Sequence, residues 1–98
     1  MVKIVDPDGN ETRVIHELVE FDGKDVVEIG CGNGRMTWRY AHAAASVLGL
    51  DPDEAAIGSA IESTPAELVT RVSFRADDIS TVKLPLESFD VAVLAWSL

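Results

Sequence analysis

Val26-Val27-Glu28-Ile29-Gly30-Cys31-Gly32-Asn33-Gly34-Arg35 is the stretch that decides how this chain reads. An apolar run ends in a carboxylate, three glycines follow at every second position, and a segment with helical character begins at Arg35. Glycine-rich turns let the backbone come close to a ligand, and a helix that starts there adds the positive end of its dipole. Positions 25–29 alternate no polarity: Val26, Val27 and Ile29 would be apolar on both faces. That pattern predicts a strand covered on both sides, as in a parallel sheet.

Downstream, 35–45 is rich in helix formers, with Met36, Tyr40 and Ala44 on one predicted face. A second strand is expected at 46–50, ending at Asp51. Asp51-Pro52-Asp53-Glu54 is a strand-to-helix turn: a first-turn proline loses no hydrogen bond, and acids favour a helix N-terminus. Ala56, Ile57, Ala60 and Ile61 supply the apolar stripe of that helix, and Thr64-Pro65 ends it. A short helical turn is expected at 66–70. Val72-Ser73-Phe74-Arg75-Ala76 alternates as a third strand and runs into Asp77-Asp78. Residues 79–86 read as a loop with Pro85, and 89–98, the most apolar segment, as a fourth strand. Upstream, 1–9 is polar and turn-rich, and Val14, Leu18 and Phe21 predict a helix over about 10–21. Strands alternating with helices predict an α/β fold with a parallel sheet and right-handed crossovers.

The chain has 98 residues, enough for one domain. Its net charge is −9, from 17 acids against 8 scattered bases, so a nucleic-acid partner is not expected. No apolar run reaches about 18 residues, so no membrane span is expected. The N-terminus lacks the pattern of a signal peptide, and the single cysteine, Cys31, allows no internal disulfide. Both fit a cytoplasmic location. Without a second cysteine, no metal site is expected.

Three features fall at the carboxyl ends of successive strands: the glycine turn, Asp51, and Asp77-Asp78. Open parallel sheets bind ligands outside those ends. Each feature has a plain reading by itself, a tight turn or a helix cap. Together they form a site. Asp51 stands 21 residues after Gly30, the spacing at which an acid accepts from ribose hydroxyls in nucleotide-binding folds. A nicotinamide dinucleotide is disfavoured, because the Gly-x-Gly-x-x-Gly form is missing and Glu28 would repel a pyrophosphate. A ligand with positive charge would welcome Glu28.

Glu28-Ile29-Gly30-Cys31-Gly32-Asn33-Gly34 closely resembles motif I of the Rossmann-like (class I) S-adenosylmethionine-dependent methyltransferases. Leu48-Gly49-Leu50-Asp51-Pro52-Asp53 is similar to their second motif, Phe74-Arg75-Ala76-Asp77-Asp78-Ile79 to the third, and 88–98 to the fourth strand of the branch that acts on small molecules. The resemblance implies a three-layer sheet in which these strands lie in the order 3-2-1-4, with helices on both faces. It implies S-adenosylmethionine as cofactor. Gly30, Cys31, Gly32 and Gly34 would shape the methionine side, and Glu28 would orient the loop or reach the methionyl amine. Asp51 would bind both ribose hydroxyls, with Pro52 or Asp53 beside the adenine. Asp77 would accept from the adenine amino group, Asp78 or Ile79 would offer an N–H to the ring, and Ala95 to Ser97 would lie near the sulfonium. The helix at 10–21 resembles the segment that covers the cofactor, with Glu11, Thr12 and His16 as candidates.

The resemblance implies methyl transfer to a small-molecule acceptor, with no dedicated nucleophile. His16 and His42 read as surface residues, Cys31 as a small residue that fits the turn, and Asp90 as a turn residue. The family's sheet has seven strands, and this sequence ends at the fourth. Either a C-terminal half completes it or the apolar strand at 89–98, left as an open edge, pairs with its two-fold mate in a homodimer. A non-catalytic, self-associating remnant that binds S-adenosylmethionine or no ligand is the second reading.

Overall fold

The computed structural model describes residues 3–5, 21–78 and 86–95. Among the described residues the strands are β1 (Lys3–Val5), β2 (Asp25–Ile29), β3 (Ser46–Asp51), β4 (Val72–Ala76) and β5 (Val91–Leu94), and the α-helix is α1 (Glu54–Ser63). They form one sheet in the order β1-β5-β2-β3-β4, with every pairing parallel. The four strands from β2 onward lie in the order that the resemblance implies, with β2 central.

The apolar runs explain the central position. Val26, Val27, Glu28 and Ile29 are all buried, because β2 is flanked by strands on both edges and covered on both faces. One face gathers Val26, Val47, Val72, Phe74, Val91 and Val93 against Ile57 and Ala60 of α1 and against Tyr40, Ala41 and Ala44. The other gathers Val27, Ile29, Leu50 and Ala92, flanked by Leu48, Phe89 and Leu94. At the amino ends of the strands, Asp90 accepts from the Asp25 N–H at 2.9 Å through Oδ2, and Asp25 accepts from the Ser46 hydroxyl at 2.7 Å. These bonds fasten β2 to its neighbours and hold the register that brings the opposite ends level.

Helix α1 starts at Asp53, whose carboxylate accepts from the N–H groups of Ala55 and Ala56 at 3.0 and 3.1 Å. It ends at Thr64, ahead of Pro65, which cannot continue the helix. Its buried stripe is narrower than the pattern predicts: Ile57 and Ala60 are buried, whereas Ile61 is 56% exposed.

Two expectations need correction. The first concerns 1–9, read as turn-rich: Lys3–Val5 forms β1, paired with Val91–Val93. Among the described residues the sheet therefore has five strands, and the edge of β5 on which two-fold pairing was expected is occupied by β1. The observed β5 is also shorter than 89–98, and 96–98 lie outside the described residues. The second concerns 35–45, which is no regular α-helix but a 3₁₀ turn at Thr37–Arg39 within successive turns. A 3₁₀ turn eclipses positions three apart. Here that brings Thr37 and Tyr40 together onto one buried group, Glu28. Helix α1 and the turns of 37–45 pack on the same face of the sheet. The helix expected at 10–21 lies outside the described residues except for Phe21, which is buried with its ring stacked on Tyr40 at 4.4 Å. The loop expected at 79–86 is outside them up to a 3₁₀ turn at Leu86–Ser88.

Candidate functional site

An open cleft of about 380 Å³ lies at the carboxyl ends of β2, β3 and β5. The ends of three parallel strands point there, and the chain must leave each one through a turn. After β2 that turn is Gly30 to Gly34, with φ of +79° at Gly30 and +87° at Gly34, which only glycine adopts without strain. A Cβ on Gly34 would also come within 2.9 Å of the Trp38 ring.

The turn's hydrogen bonds decide what kind of ligand it can receive. The N–H groups of Gly30 and Cys31 both donate to the Leu50 carbonyl, at 2.8 and 3.1 Å. Gly32 N–H donates to Asp51 Oδ2 at 2.9 Å, and Gly34 N–H donates to the Cys31 carbonyl at 3.0 Å. These four donors serve the fold. The turn is thus not the cradle of free N–H groups that a phosphate requires. Its glycines give close approach and little positive potential.

The walls carry negative charge. Asp51, at the end of β3, is half-buried; its Oδ1 accepts from the Asp53 N–H at 2.9 Å while Oδ2 holds Gly32. Each carboxylate oxygen keeps a further lone pair for a ligand hydroxyl. Glu28 is fully buried at the cleft floor. Its Oε1 accepts from the Thr37 hydroxyl at 2.9 Å and from the Tyr40 hydroxyl in a short bond, while Oε2 has no partner. Burial pushes the Glu28 carboxyl up to about 7, against the opposing pull of the Tyr40 and Thr37 hydrogen bonds. Burial, followed by the charges of Glu28 and Asp51, pushes the Cys31 thiol up to about 12. Its sulfur is a neutral wall of the cleft and no nucleophile.

Of the residues singled out in the sequence, Glu28, Gly30, Cys31, Gly32, Asp51 and Ala95 line the cleft. Ala95 is held there by its N–H, which donates to the Ile29 carbonyl at 2.8 Å. Gly34 is buried under Trp38 at the base of the turn. Pro52 is exposed just beyond Asp51. Asp77 stands beside Asp51 on the neighbouring strand end, its N–H donating to the Asp51 carbonyl at 3.1 Å, and its Oδ2 pairs with Arg75 at 2.8 Å on the exposed rim. Asp78 is exposed, and Ile79 lies outside the described residues. Asn33, Arg35 and Met36 also line the cleft and were not singled out. Their position directly after the second and third glycines was the available signal, because a turn that curls over a cleft points its next residues into it.

Residues 26–98 match the family model described as a methyltransferase domain. The ribosomal protein arginine N-methyltransferase rmt3 of Schizosaccharomyces pombe is 31% identical over 93 residues, covering 91% of this chain and 17% of that protein. The ubiquinone biosynthesis O-methyltransferase of Agrobacterium fabrum is 41% identical over 71 residues, covering 71% of this chain and 28% of that protein. Among solved structures, an S-adenosylmethionine dependent methyltransferase from Mesorhizobium loti superposes with a TM-score of 0.70 at 30% identity, covering 85% of this chain and 38% of that one. The chain therefore spans well under half the length of each of these proteins. No helix among the described residues is long and apolar enough to cross a membrane.

Proposed function

This chain belongs to the methyltransferase-domain family, and from that premise we propose that its cleft binds S-adenosylmethionine and serves methyl transfer to a small-molecule acceptor. The observation that carries the reading is the pairing of two carboxylates, Glu28 and Asp51, with a glycine turn in which the N–H groups of Gly30, Cys31, Gly32 and Gly34 are already committed. Such a cleft repels a pyrophosphate and suits a ligand that brings a cation and vicinal hydroxyls.

The residues present fit that cofactor. The unpartnered Glu28 Oε2 is a buried acceptor that needs a donor, and an ammonium supplies one. Asp51 keeps lone pairs for ribose hydroxyls after its two backbone bonds. The glycine turn leaves room for the chain between them. Ala95 closes one side without competing polar atoms. On this reading Asp77, whose N–H donates to the Asp51 carbonyl, would accept from the adenine amino group on the side of Pro52. When bound, the sulfonium supplies an electrophilic methyl group. What this chain does is bind, orient and exclude water, so that an acceptor meets the methyl in line.

A small acceptor is supported by the charge of −9, which opposes nucleic acid, and by the likeness to the ubiquinone-biosynthesis enzyme. Calorimetry with S-adenosylmethionine, S-adenosylhomocysteine and NAD tests the reading. Micromolar binding of the first two without the third is expected, with a loss of at least tenfold in Asp51→Ala. Binding of NAD alone, or of none, would overturn it.

A further inference from the structure

We infer that Thr37 and Tyr40 are positioning residues for the cofactor: together they hold the Glu28 carboxylate by one oxygen and leave the other for a cationic ligand. This rests on the functional reading above and extends it to two side chains outside the glycine motif.

The geometry is specific. Both hydroxyls converge on Oε1 of Glu28, and Oε2 is left buried and without a partner. The convergence depends on the 3₁₀ turn at Thr37–Arg39, which stacks positions 37 and 40 over β2. Neither side chain is free to drift. Thr37 and Tyr40 are fully buried, and the Tyr40 ring lies on Phe21 with an interplanar angle of 15°. A carboxylate buried beside apolar side chains would ordinarily take up a proton. Two donors on one oxygen oppose that and also fix the rotamer, so that the vacant oxygen is presented in one orientation. The other ionisable groups around it do not compensate its charge. Cys31 stays a thiol, Tyr40 is held protonated well above its usual range, and Asp51 is a second acid. Arg35 lines the same cleft but is exposed and forms no ion pair among the described residues. The charge of Glu28 is thus kept available by hydrogen bonds and not by a cationic side chain, which leaves the cationic place to the ligand.

The test uses the 98-residue chain with Tyr40→Phe, which keeps the ring, and Thr37→Val, which keeps the shape, each checked for an unchanged circular dichroism spectrum. In the free protein, carbon-13 NMR of carboxyl-labelled glutamate reads the titration midpoint of Glu28. The midpoint should move to higher pH in both variants, and Thr37→Ser should restore it. S-adenosylhomocysteine should bind Tyr40→Phe about tenfold more weakly at pH 7, the size of one hydrogen bond to a charged group. The deficit should shrink toward pH 9, where Glu28 ionises in the variant as well. An unmoved midpoint, or an equal loss of affinity at every pH, would overturn the inference. A moved midpoint in a parent chain that does not bind S-adenosylhomocysteine would instead overturn the functional reading on which it rests.

Discussion

The carboxylate of Asp51 accepts from the backbone N–H of Gly32 at 2.9 Å, across the gap between the end of β3 and the turn after β2. The residue placed to bind a ligand hydroxyl is therefore also the residue that shapes the turn over the ligand. Its other oxygen holds the Asp53 N–H, at the start of α1. One side chain ties two strand ends and a helix start together around the cleft.

That double use predicts that Asp51→Ala costs stability as well as affinity. Two backbone donors lose a charged acceptor, and half-burial reduces what water can replace. A loss of roughly 2 kcal/mol is expected from bonds of this type, read as a lower denaturation midpoint without ligand. Asp51→Asn keeps one carbonyl oxygen and should fall between parent and Ala.

Glu28 predicts a pH dependence with a definite sign. Its carboxyl is raised from an ordinary 4.5 to about 7 in the folded chain. The folded state then binds more protons than the unfolded state between those values, so stability falls as pH rises from about 4.5 through 7 and is flat above. By linkage the fall is roughly 3 kcal/mol. Glu28→Gln removes this dependence and should be the more stable protein at pH 8. Urea denaturation at pH 5, 6, 7 and 8 measures both slopes. A parent whose stability rises over this range would contradict the assignment.

Gly49 and Gly58 predict opposite outcomes for the same substitution. A Cβ on Gly49 would sit 2.5 Å from the Phe74 ring and 3.0 Å from the Cys31 sulfur, beneath the glycine turn. Gly49→Ala should lose about 1–3 kcal/mol through overpacking. A Cβ on Gly58, within α1, meets nothing within 4 Å. Gly58→Ala should gain about 0.5–1 kcal/mol from helix propensity. Thermal denaturation of the two variants side by side checks both signs.

Cys31 should react slowly with a disulfide reagent at pH 8. Its thiol is buried and pushed up to about 12, so almost none is thiolate. In denaturant the rate should rise at least tenfold, toward that of an ordinary thiol. A fast reaction in the folded chain would mean that the sulfur is open to solvent.

Much of the fold follows from local pattern. The strands at 25–29, 46–50 and 72–76 are bounded in the sequence by an apolar run and a following turn, and β2, β3 and β4 keep those limits to within one residue. The start of α1 was legible in Pro52 and Asp53, because a cap acts within three residues of itself. The acids after successive strands were legible as a site because parallel strands must end on the same side. What local pattern cannot express is pairing at a distance. Lys3-Ile4-Val5 has strand-forming Ile4 and Val5 but is too short to read as a strand beside Asp6-Pro7-Asp8-Gly9, and it is a strand because Val91–Val93 offers it an edge.

The sequence by itself determined the α/β class and the identity of the residues at the strand ends, since periodicity, turn chemistry and spacing are properties of neighbouring positions; the order of the central strands came from its resemblance to a known family. Only the tertiary structure decided that the glycine turn spends its N–H groups on Leu50, Asp51 and Cys31, that the segment after it tightens into a 3₁₀ turn, and that Glu28 is left with one satisfied oxygen and one vacant. Those outcomes depend on which groups compete for the same hydrogen bonds once the chain is folded, and that competition has no trace in a linear pattern.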